Sequence, residues 1–172
     1  MKYLPFVLLF ALLSCKEITY KEPQPKGKKM LAEIPNSLQG KYLLIDDNGI
    51  DKDTLYIDKD GYHIRGESAD EGILGDSLVL KKYKSYYFLN INQRPEWALR
   101  VIKQEKNGDI AVMSMDDKNF NSFLVKLGNE IRIDSTQEMD ERLYQIDPTP
   151  KQLVGLIKKK YFNQVTRIKK IE

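Results

Sequence analysis

Cysteine, histidine and tryptophan each occur once in the 172 residues, at Cys15, His63 and Trp97. A single cysteine excludes an internal disulfide, and with a single histidine it excludes the multi-Cys/His clusters of structural zinc sites. No G-x-S-x-G elbow, H-E-x-x-H helix or glycine-rich phosphate loop occurs. The longest apolar run covers about eleven residues near the N-terminus, well short of the roughly 20 needed to cross a bilayer as a helix. There is no internal repeat and no low-complexity tract. From these absences we predict no catalytic residues, no metal ligands, no cofactor and no helical membrane span in the mature chain.

The N-terminus carries the clearest positive signal. Lys2 precedes an apolar run from Tyr3 to Leu13, broken by Pro5 and ending in Ser14-Cys15. A cation, a short apolar core and a small residue make the secretory-signal pattern. The four residues Leu12-Leu13-Ser14-Cys15 resemble the lipobox of bacterial lipoproteins, and the chain resembles small envelope lipoproteins of Bacteroidetes-type bacteria. The resemblance implies a diacylglycerol on the Cys15 sulfur, cleavage by signal peptidase II that removes residues 1–14, and palmitate-type acylation. It also implies a cell-envelope location, with the outer membrane expected and its periplasmic or surface face open. A free thiol after an ordinary secretory cut and a buried apolar helix are the competing readings of this segment. A free cysteine in an oxidising envelope is a liability that lipidation removes. Each buried acyl CH₂ is worth about 0.8 kcal/mol, so two or more chains hold where one does not.

Residues 15–35 are polar after the cysteine, carry Pro23 and Pro25, and lack an apolar period. They are expected to form an extended tether between membrane and domain. Lys16-Glu17 resembles, in part, the Lys-plus-acid signal of surface-displayed lipoproteins. Residues 36–172 are expected to form a single β-rich domain, long enough for a real core. Charge is uneven: residues 36–150 hold fifteen Lys and Arg against twenty-one Asp and Glu, whereas 151–172 hold seven against Glu172 alone.

The body reads as short apolar runs separated by turn residues. Candidate strands are Gly40 to Ile45, Thr54 to Ile57, Tyr62 to Arg65, Ser77 to Lys82, Tyr86 to Asn92, Trp97 to Lys103 and Asp109 to Met115. Asp60-Gly61 and Asn107-Gly108 predict hairpins, the first through a type I′ turn in which glycine accepts positive φ. Phe120, Phe123, Leu124 and Leu127 recur at helical spacing, with Gly128 as a stop. Thr149-Pro150 predicts an N-cap and first helical residue, with Leu153, Leu156 and Ile157 as the apolar stripe. A strand near Tyr161 to Lys169 is expected to close the fold. The fold class is therefore mainly β (α+β), an antiparallel meander forming a small barrel or curved sheet with one or two short helices. The opening Leu38-Gln39-Gly40-Lys41-Tyr42 before a meander resembles a lipocalin-type barrel.

Candidate chemistry is sparse. His63 has the right pKa range for a general base, but lies mid-strand, where a solvated position is the simpler reading. The acids from Asp46 to Asp60 could supply oxygen ligands to calcium, yet the spacing does not match an EF-hand, and Asp and Asn also favour turns. Tyr83, Tyr86, Tyr87 and Trp97 lie on neighbouring strands and are the candidate ligand or partner surface. Alternation puts Tyr86 and Phe88 on one face of their strand and Tyr87 and Leu89 on the other. The basic C-terminal end suits anionic lipid phosphates or plain solvent. Nucleic acid is not an expected partner. The leading expectation is non-enzymatic binding of an envelope protein or an apolar ligand by a membrane-anchored lipoprotein. The alternatives are a carboxylate-dependent enzyme acting on envelope glycans, and a structural or inhibitory lipoprotein.

Overall fold

Two strands that follow each other in the chain end up at opposite edges of one sheet. The structure, a computed structural model, describes residues 18–171 except 47–48, 67–69, 116, 118 and 139–140. The expected signal segment and Cys15 lie outside the described residues. The large sheet has nine antiparallel strands in the order β5-β4-β3-β2-β12-β9-β8-β7-β6. These are β2 (Gly40–Asp46), β3 (Gly49–Ile57), β4 (Gly61–Arg65), β5 (Asp70–Ile73), β6 (Leu78–Tyr83), β7 (Tyr86–Asn92), β8 (Trp97–Gln104), β9 (Ile110–Ser114) and β12 (Gln164–Lys170). Laid flat, nine strands would set the edges roughly 38 Å apart. Residues 74–77 join β5 to β6 directly, and such a link spans at most about 18 Å. The sheet must curl, and it forms a nearly closed barrel.

Two four-stranded meanders, β2–β5 and β6–β9, make up the wall. The C-terminal β12 lies between them, antiparallel to β2 (Ile168 opposite Leu44) and to β9 (Ile168 opposite Ile110). The sequence expectation of a closing strand holds. Lys170 Nζ donates to the Gln39 carbonyl at 2.9 Å, and the Lys170 amide donates to Asp109 Oδ1 at 2.9 Å. These bonds pin the basic C-terminal strand to the barrel.

The seam between β5 and β6 has its own filler. A Cβ on Gly72 would lie 2.4 Å from Tyr62 Cε1 and 2.9 Å from Leu78 Cδ2, so the phenol ring and the leucine cover that glycine across the gap. Residues 31–34 finish the closure: the Leu31 amide donates to the Leu80 carbonyl of β6 and the Ile34 amide to Lys59 beside β4, both at 2.8 Å.

A second sheet, ordered β1-β11-β10, contains β1 (Ile18–Thr19), β10 (Ile133–Glu138) and β11 (Glu141–Ile146). With helices α1 (Phe120–Gly128) and α2 (Pro150–Lys158) it packs outside β6–β9. The Asn119 side chain caps α1, and Thr149 and Gln152 form a reciprocal capping box on α2 behind Pro150. Phe120, Phe123 and Leu127 of α1 and Leu153, Leu156 and Ile157 of α2 are buried, as their spacing predicts.

Residues 18–35 are not a free tether. Ile18 and Tyr20 are 2% and 1% exposed. The Tyr20 and Trp97 backbones exchange two 2.9 Å hydrogen bonds. Gln24 and Asn90 are almost fully buried. Asn90 Nδ2 donates to the Gln24 carbonyl at 2.8 Å, and Asn90 Oδ1 accepts from the Gln24 amide at 2.6 Å. Lys81 Nζ donates to Pro23 O at 2.6 Å and Pro25 O at 3.2 Å. Burial pushes the Lys81 amine below its ordinary pKa, with a smaller opposing pull from Glu22. Beyond β1 and the Tyr20–Trp97 bridge, side-chain amide and amine bonds to backbone hold the segment where it has no ladder. No apolar periodicity accompanies such docking, so the segment read as linker.

The Asp60-Gly61 hairpin forms, but not for the predicted reason. Gly61 is not among the positive-φ residues, so no I′ turn centres on it. Asp58 Oδ1 organises the turn instead, accepting from the amides of Asp60 and Gly61 at 2.9 and 3.0 Å. Glycine is needed at 61 because a Cβ there would sit 2.0 Å from the Gly72 carbonyl oxygen. Gly108 does take positive φ, +91°, in the β8–β9 turn.

Candidate functional site

The two faces of the barrel wall carry two separate apolar clusters. On β7, Tyr86 and Phe88 point outward under the helices, and Tyr87 and Leu89 point inward, as alternation predicts. The candidate aromatic surface is therefore divided. Tyr83, Tyr86 and Trp97 are half-buried against the outer cluster, while Tyr87 is buried in the inner one. The structure does not bring the four to one surface. Lys28 Nζ lies 4.7 Å from the centre of the Tyr83 ring, and Lys82 Nζ 4.9 Å from that of Tyr87.

Inside the barrel lies a cavity of about 150 Å³. Its body is hydrocarbon: Leu38, Leu55 and Ile57 on one side, and Leu80, Leu89, Ile102, Ile110 and Ile168 around the rest. Ile34, from the supposed tether, also lines it. Those on strands face inward because strand side chains alternate. Among the described residues, no Asp or Glu lines this cavity. Its polar groups gather on one stretch of wall. Arg100, Ser114, Gln164 and Thr166 all line it. Gln164 pairs with Ser114 in the β12–β9 ladder, and one step beyond the Val101–Met113 pair places Ser114 level with Arg100. Arg100 Nη1 donates to the Leu99 carbonyl at 3.1 Å.

Tyr62 stands at the seam end of this lining. Its hydroxyl donates to Asp70 Oδ2 at 3.2 Å. Burial, reinforced by the Asp70 charge and this bond, raises the phenol pKa far above its ordinary value. The group is a fixed donor at neutral pH and not a proton-transfer group.

The remaining sequence candidates lie apart from the cavity. His63 is on the outer face, stacked on Tyr56 across the β3–β4 ladder with ring centres 4.8 Å apart and planes 4° from parallel. The Arg65 guanidinium lies 4.9 Å from the same tyrosine ring. Of the acidic stretch, Asp58 serves its turn. Among the described residues no three His, Cys, Asp or Glu side chains gather as a cation site. Glu105 and Asp109, two carboxylates near each other at the β8–β9 turn, are engaged by Lys103, Asn107 and the Lys170 amide. The basic end divides too: Lys159 pairs with Glu130 at 2.5 Å, which raises its pKa, and Lys170 reaches Gln39.

The chain matches no family model, no curated protein and no solved structure. Its function must be read from the residues themselves. Sequence reasoning missed the cavity because Arg100, Ser114, Gln164 and Thr166 come from three strands, and of the four only Arg100 sits between two buried neighbours, Leu99 and Val101. Arg100 inside the run Ala98-Leu99-Arg100-Val101-Ile102 was the available signal.

Proposed function

We propose that the chain is an envelope lipoprotein, anchored through lipid on Cys15, whose barrel binds a small apolar ligand. The observation that carries the ligand reading is the 150 Å³ apolar cavity within the barrel. Protein interiors are close-packed, and filled barrels of this size leave little room. A dry apolar cavity of roughly this volume takes a benzene-sized guest. The aromatic residues first marked as a partner surface are partly used for packing, which favours a ligand over a protein partner. The anchor reading rests on the lipobox-like Leu12-Leu13-Ser14-Cys15. Because Ile18 is buried so soon after Cys15, the barrel is held close against the membrane and not on a long tether.

Two measurements test the two halves of this reading. In a methyl NMR titration, 1-octanol shifts the Ile57, Ile102 and Ile110 methyl signals saturably, and Val112→Phe, which fills the cavity, removes the effect. Absence of any saturable shift in the wild type sinks the ligand reading. Labelled palmitate enters the wild type but not Cys15→Ala; equal labelling of both, or none in either, sinks the anchor.

A further inference from the structure

We propose that the barrel's ligand is a single-chain amphiphile with a carboxylate head, the head at Arg100 and the chain in the apolar body of the cavity. This rests on the apolar-ligand reading above and adds the chemistry of the head. Arg100 lies between Leu99 and Val101, which are 2% and 0% exposed on the outer face. Alternation turns its side chain inward, where it lines the cavity beside Ser114, Gln164 and Thr166. It is the one cationic side chain among the described residues that line the cavity.

The pole is suited to a carboxylate. Guanidinium offers five N–H donors in a planar fork that matches two carboxylate oxygens. One donor serves the Leu99 carbonyl. Arg100 has further contacts within the protein, and the proposal does not need it to lack them: the fork and its full charge can serve an anion alongside other acceptors. The Ser114 and Thr166 hydroxyls and the Gln164 amide add neutral donors at the same end. Among the described residues, no acidic side chain lines the cavity. Away from this pole the lining offers only apolar contact, with Tyr62 at the seam, so one ligand end is ionic and the rest hydrocarbon. The cavity volume fits a chain segment of about six carbons, the size of the benzene guest that such volumes accept.

The experiment compares three probes of equal chain length, octanoate, 1-octanol and octyltrimethylammonium, by calorimetry on the wild type, Arg100→Gln and Arg100→Lys. Octanoate is expected to bind the wild type at least tenfold more tightly than octanol, with the cation weakest. Arg100→Gln brings octanoate down to the affinity that the same variant has for octanol. Arg100→Lys keeps a reduced preference, since it retains charge but not the fork. A measurement without any variant guards against misfolding of Arg100→Gln: acidifying until octanoate is protonated abolishes its advantage in the wild type. Equal octanoate and octanol affinity in the wild type overturns the head assignment and leaves the apolar-ligand reading standing. An advantage that survives Arg100→Gln also overturns it. Failure of all three probes to bind overturns both.

Discussion

The two meanders of one barrel live in different surroundings. Strands β6–β9 are covered on both faces, by the cavity side within and by two helices, the small sheet and residues 18–25 without. Strands β2–β5 are covered within, while their outer face carries Tyr56, His63 and Arg65 at or near solvent. The sequences follow suit. Tyr62-His63-Ile64-Arg65 alternates cleanly, whereas Ala98-Leu99-Arg100-Val101-Ile102 is almost continuous apolar residues, the pattern of a strand buried on both sides. Within such a strand a charged residue stands out, and in this one it faces the cavity. Core strength is thus concentrated in one half of the wall, and Arg100 and Ser114 of the polar cavity wall lie at the inner face of that same half.

Five truncations can break or sharpen this contrast. The largest effect is expected for Phe88→Ala. Phe88 is fully buried under the helices, and its truncation should cost about 3–5 kcal/mol by urea unfolding. Tyr56→Ala, on the open face of the other half, should cost under about 1.5 kcal/mol through its His63 stack and cation contacts; comparable losses for the two would erase the contrast. Next comes Asn90→Ala, which strips the Gln24 backbone of both its partners. A loss of about 1–3 kcal/mol is expected, with amide exchange quickened across residues 20–31 and slow in β8. Unchanged exchange there would show that the segment holds by other contacts.

Thr149→Ala should remove about 1 kcal/mol by breaking the capping box of α2, and Thr149→Ser should restore most of it. The smallest effect at neutral pH is at the seam. Tyr62→Phe loses one hydrogen bond to Asp70, about 0.5–1 kcal/mol. The sign of its pH dependence is fixed by the raised phenol pKa. The folded state favours the protonated phenol, so this stabilisation is fully present below the unfolded value of 10.0. It is lost progressively as pH rises above that value. Wild-type stability relative to Tyr62→Phe should therefore fall above pH 10 and stay flat below it; a flat difference throughout would mean that the ring is not sealed in the seam.

Legibility followed burial on one face and local chemistry. Seven of the barrel strands were readable because their alternation or apolar runs ended in turn residues, an eighth, β12, was expected as the closing strand, and both helices were readable because caps and stripe agreed. Strands β10 and β11, rich in Glu, Gln, Asp and Arg, were not, since such residues are poor strand formers and pair here only through tertiary context. Strands β1 and β5 are two and four residues long, too short for any period to show.

The sequence by itself determined the mainly β meander, its two capped helices, the lipobox-like start and the lack of the familiar catalytic motifs. Each of these is written in neighbouring residues through turn preference, capping or alternation. The tertiary structure alone decided that residues 18–35 belong to the domain, that β5 meets β6 to curl the sheet, and that Arg100, Ser114, Gln164 and Thr166 share one cavity wall. Those outcomes depend on pairings between distant residues, such as Gln24 with Asn90 and Gln164 with Ser114, and local propensity carries no record of a distant partner.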